Sequence, residues 1–102
     1  MADFTQRREA LVKRILEGAG KAPSSDRRSA FDNRGLTGPA ASLVDKVAKN
    51  AWKVTGADID AARTAGQSED QLFELIVCGA VGQAGRQYDA ALAALNAAAG
   101  KT

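Results

Sequence analysis

Two side chains raise the question of chemistry first. Cys78 follows Glu74 by four residues, so on a helix a carboxylate stands one turn from a thiol, the pairing of a base with a nucleophile. The same closeness works against that use, because a neighbouring negative charge and an apolar setting both raise a thiol's pKa and deplete the thiolate. A small buried residue is the simpler role for Cys78. Glu74 itself lies between Phe73 and Leu75. A carboxylate in such surroundings sits at an interface, pairs with a cation or lines a pocket. Arg86 follows Gln83 and precedes Asp89 by three residues, which suits an ion pair on a solvated face or a pocket cation. Asp58 and Trp52, on the turn and helix before, complete the pocket candidates.

What is missing is as informative. The chain has no His and a single Cys. Structural zinc sites of the Cys/His kind, Cys-His and Ser-His-Asp hydrolases and His-ligated haem are excluded, and no metal site or cofactor motif is found. A lone Cys makes no internal disulfide. Gly79, Gly82 and Gly85 recur every three residues, but a phosphate-cradling loop needs its glycines between a strand and a helix N-terminus. Inside a helix they cost roughly 2–3 kcal/mol against alanines. Close approach of a neighbouring backbone, within the chain or across a subunit boundary, is the reasonable compensation.

The elements that must hold these residues are all helical, since no stretch alternates apolar and polar residues long enough for a strand. A basic helix is expected over about 3–17, with Asp3 and Gln6 as cap and Phe4, Leu11, Ile15 and Leu16 as its apolar side. A short helix from Ser25 to about Asp32, anchored by Phe31, follows a Gly/Ser/Pro loop. Pro39 opens a third, striped by Leu43, Val44, Val47 and Ala51 and closed by Trp52. Thr55 with Asp58 caps a fourth that ends at Gly66. Ser68-Glu69-Asp70-Gln71 is a capping box opening the longest helix, to about Ala98. This helix is apolar on nearly every side from Leu72 to Val81, the mark of a buried central element, and amphipathic later, through Ala84, Tyr88, Ala91 and Leu95. The expected fold is all-α, a compact single-domain bundle of about five helices with a long, buried, Gly/Ala-rich C-terminal helix.

Composition agrees with one domain of 102 residues. Of the 45% hydrophobic residues nearly half are alanine, 22 in all, so large core side chains are few. A thin core makes burial in an oligomer plausible. Net charge is +2, with ten Lys/Arg against six Asp/Glu in residues 1–50 and four against six in the remainder. That asymmetry permits a weak anionic partner but lacks the dense block of a nucleic-acid tail. The opening turn Glu69-Asp70 would repel phosphate from the longest helix, which argues against a helix-turn-helix reader. No apolar run approaches the ~20 residues of a membrane span. The N-terminus lacks a signal peptide's apolar core, so a cytoplasmic protein is expected.

The segment from Ile59 through Gly66 and Ser68-Glu69-Asp70 to Gly82 resembles the carboxymuconolactone decarboxylase and alkylhydroperoxidase D-like proteins. In them a helix ending in a small residue and Gly is followed by a Ser/Thr-Glu-Asp/Glu cap and a long Ala/Gly-rich helix. The likeness covers about residues 39–98 and rests on caps and packing residues. Redox members carry Cys-x-x-Cys and, four residues later, His just ahead of this Gly; here those places hold Ala51, Val54 and Asp58. With neither two thiols nor an imidazole, no disulfide exchange or proton relay is available. The resemblance therefore implies the helical fold and a tendency to oligomerise, but no catalytic residue.

A degenerate member of that family, acting as a non-catalytic binding or assembly module, is the expected function. Its groove is expected between the helices at 43–52, 55–65 and 68–98, and Gly79, Gly82 and Gly85 are its interface candidates. An alternative is a non-redox pocket enzyme or small-ligand-binding protein, lyase- or isomerase-like, using Glu74, Asp58 or Arg86. A weaker one is an adaptor for an acidic partner through the basic helix of Arg7, Arg8, Lys13 and Arg14. A homo-oligomer and a protein partner are expected, and no membrane or nucleic acid.

Overall fold

Helix signals govern where the chain turns. In the structure, a computed structural model that describes residues 2–100 with side chains from residue 5 onward, five helices follow in order: α1 (Ala2–Glu17), α2 (Ser24–Asp32), α3 (Gly38–Asn50), α4 (Gly56–Thr64) and α5 (Glu69–Ala99). A 3₁₀ turn, Ala51–Lys53, joins α3 to α4. The fold is all-α, and no strand occurs among the described residues. The expected Asp3 cap and Phe4 contact lie outside the described side chains.

Both expected capping boxes form. Thr55 N–H donates to Asp58 Oδ2 at 2.9 Å and Ser68 N–H to Gln71 Oε1 at 2.8 Å, each with the reciprocal bond from the third helical N–H. Gly66, at φ +119°, makes the left-handed turn between α4 and α5 that an L side chain would strain.

The first half of α5 is the spine. On one side Leu75 and Cys78 pack with Leu16, Ala22, Ala30 and Val44, joined by Val12, Ile15, Phe31 and Leu36. On the other Leu72 packs with Leu43 and Ala62, joined by Val47, Val54, Ile59 and Ile76. Full burial of side chains such as Leu43 and Leu75 contributes roughly 1.5–3 kcal/mol each. Two expectations change here. Phe73 is 67% exposed, so the Leu72–Val81 stretch is not covered all round. Trp52 is 77% exposed on the 3₁₀ turn, and Ala51 is exposed beside it, because the helical register breaks at Asn50 and turns both away from the core.

The second half of α5 leaves the bundle. Every residue from Asp89 to Ala99 is exposed. The Cα radius of gyration is 15.5 Å, above the about 13 Å of a compact chain of this length. The excess comes from α5, which at 1.5 Å per residue is about 46 Å long and sets the 55 Å longest dimension.

Candidate functional site

Glu74 is committed to the backbone. Its Oε1 accepts from Lys21 N–H at 3.0 Å and Ala22 N–H at 3.1 Å, and its Oε2 from Lys21 N–H at 2.8 Å. It thereby clamps the α1–α2 loop onto α5, close enough that a Cβ on Gly20 would collide with the carboxylate. Burial alone would push the Glu74 carboxyl up, but the two N–H donors and the positive charges of Arg27 and Lys21 outweigh it, and the pKa is lowered. Gln71 adds a bond from Nε2 to the Lys21 carbonyl at 3.3 Å.

Arg27, not foreseen as a site residue, completes this junction. It is buried, donating through Nη1 to the carbonyls of Gly18 at 2.7 Å and Ile15 at 3.2 Å, and through Nη2 to Ser24 Oγ at 3.2 Å. A sequence signal exists in part: Arg28 has an i,i+4 partner in Asp32, whereas Arg27 stands three residues before the fully buried Ala30 on the same side of α2. Cys78 lies beneath, its thiol donating to the Ile15 carbonyl at 3.6 Å. Burial pushes the Cys78 thiol up, Arg27 pulls it down and Glu74 pushes it up again; the net shift is upward, which keeps it protonated at neutral pH. Glu74 and Cys78 are thus brought together, but as a fastening and not as base and nucleophile.

The remaining candidates are separate. Asp58 caps α4 and accepts from Lys46 Nζ at 2.9 Å; these bonds, Lys46 foremost, lower its pKa. Arg86 donates to the Phe31 carbonyl at 2.7 Å and to Gln83 at 3.0 Å, while Asp89 pairs with Arg8 of α1 at 2.8 Å, replacing the expected Arg86–Asp89 pair. No cluster of three or more metal-ligating side chains occurs among the described residues.

The glycines divide. A Cβ on Gly82 would collide with the Phe31 carbonyl, and one on Gly79 would come within 3.0 Å of Val44 Cγ1. Both glycines therefore serve the approach of α2 and α3 inside the chain, the first of the two compensations expected for the triplet. Gly85 meets nothing within 4 Å. It lines a groove of about 800 Å³ between α1, α2 and α5, walled by Leu11, Val12, Phe31, Val81 and Tyr88. The groove expected between α3, α4 and α5 is instead filled by Leu43, Ala62 and Leu72. Around the observed groove Arg8 pairs with Asp89, Arg28 pairs with Asp32 and Arg86 bonds to Phe31 and Gln83, while Glu9, Lys13 and Glu17 line its α1 side. Arg8 also lies over the Tyr88 ring, 5.6 Å from its centre. The apolar wall favours an apolar occupant.

No protein-family model, no curated protein and no solved structure matches the chain. Among the described residues no helix is long and apolar enough to cross a membrane.

Proposed function

We propose that the chain is a non-catalytic helical binding and assembly module, a degenerate relative of the alkylhydroperoxidase D-like proteins, that works through the α1/α2/α5 groove in the cytoplasm. One observation carries this function above all: the groove has an apolar wall of Leu11, Val12, Phe31, Val81 and Tyr88, whereas Glu74, Cys78 and Asp58 are engaged in holding loops and caps. At about 800 Å³ the groove is within the usual range of ligand sites. The occupant favoured is a protein helix with an apolar face.

Amide chemical shifts of dilute protein titrated with 8-anilinonaphthalene-1-sulfonate test the site. Shifts confined to Val12, Phe31, Val81 and Gly85 and abolished by Gly85→Trp support it; Gly85 has open space for the indole, so the variant folds. Shifts centred on α3 and α4, or none, overturn it.

A further inference from the structure

We infer that the groove is filled by the exposed C-terminal half of α5 from a second copy of this chain, the two α5 helices crossing antiparallel about a two-fold axis beside Ala90. This rests on the groove being the working surface, and names its partner.

The starting point is a helix that solvent alone does not explain. Residues 90–99 carry no charged side chain, and every one of them is exposed. A helical face meant for water is normally polar. Here Leu92 and Leu95 stand out, 38% and 64% exposed.

The spacing identifies the cover. Val81, Gly85, Tyr88, Leu92, Leu95 and Ala99 succeed one another by four, three, four, three and four residues, the seam of a two-stranded coiled coil. Its first three residues line the groove, and its last three lie on the overhang. The seam is symmetric about Ala90, so an antiparallel copy sets Val81 against Ala99, Gly85 against Leu95 and Tyr88 against Leu92. Size complements size: the bulkiest exposed residue of the overhang meets the glycine whose Cβ position is empty. The flanking positions agree, since Arg86 and Asp89 face alanines at 94 and 91, and no like charges meet. The interface is self-complementary, as two-fold association requires. It also explains why Gly85 remains a glycine although nothing within its own chain approaches it.

The overlap of residues 81–99 is about 27 Å long, a contact smaller than a standard interface, so association is expected in the micromolar range or weaker. Light scattering across a concentration series up to about 1 mM reads it directly. Wild type should rise to twice 10.6 kDa. Leu95→Glu and Gly85→Leu should each remain at the single-chain mass with unchanged helicity, because both sites are open in the single chain. In a Cys78→Ser background, Gly85→Cys chains mixed with Leu95→Cys chains should form a mixed disulfide, and Gly85→Cys alone should not link to itself. A wild-type mass of one chain throughout, a dimer that survives both substitutions, or efficient self-linking of Gly85→Cys overturns the antiparallel pairing. Failure here is distinct from failure of the groove itself: a wild type that stays single-chain while the naphthalenesulfonate shifts map to Val12, Phe31 and Val81 removes the second copy but retains the groove.

Discussion

Replacing Glu74 by Ala should cut the fastening between the α1–α2 loop and α5. Two backbone donors lose their acceptor, Lys21 N–H and Ala22 N–H. Hydrogen bonds to charged groups contribute roughly 1.5–3 kcal/mol when water cannot replace them. Lys21 is exposed, and water takes over its bond at little cost, about 0.5 kcal/mol. Ala22 is buried, at 3% exposure, and keeps about 1.5–2 kcal/mol of the loss. Arg27 is left buried without its nearby negative charge, which adds to the cost. The expected total is about 2–3 kcal/mol, a large share of the 5–15 kcal/mol typical of a domain. With a urea slope near 1–1.5 kcal/mol per molar, the midpoint should fall by about 2 M. Glu74→Gln should lose less, since one oxygen still accepts. Acid titration supplies an independent check. The folded pKa of Glu74 lies below its unfolded value, so its contribution is complete above the unfolded value and vanishes as pH falls through the folded one. Wild type should therefore lose the Glu74 share of stability at acid pH, and Glu74→Gln should not. A stability loss under about 0.5 kcal/mol for Glu74→Ala, or identical acid profiles for wild type and Glu74→Gln, would refute the clamp.

Three further outcomes follow from the same contacts. Gly82→Ala should destabilise by about 2–3 kcal/mol because its methyl meets the Phe31 carbonyl, whereas Gly85→Ala, with open space, should stabilise by about 0.5–1 kcal/mol; thermal melts that rank them the other way would contradict the packing. Ser68→Ala removes the acceptor for Gln71 N–H and should cost about 1 kcal/mol, and an unmoved denaturant midpoint would place the start of α5 elsewhere. Cys78, buried and with a raised pKa, should react with Ellman's reagent more than about tenfold slower in the folded than in the unfolded protein, and the chain should consume no peroxide with a dithiol donor; consumption lost in Cys78→Ser would reverse that expectation.

Local signals in the chain determined the helices and their ends, because caps and left-handed stops act within one turn. Thr55 with Asp58, Ser68 with Gln71, and Gly66 all do what their residue types imply, whatever surrounds them. Which neighbour each helix meets is a different kind of information. Periodicity shows that Leu72–Val81 is apolar but not that Phe73 and Trp52 face solvent, since exposure depends on how few elements a chain of 102 residues has to cover them. The glycine triplet reads as one motif along the sequence, yet α2 and α3 cover only its first two members. Glu74 and Arg27 stand 47 positions apart, and only the fold of the α1–α2 loop over α5 converts one from a candidate acid and the other from an ordinary surface charge into a single junction. The groove likewise exists because α1 packs against α5 at a distance in sequence that no local spacing records.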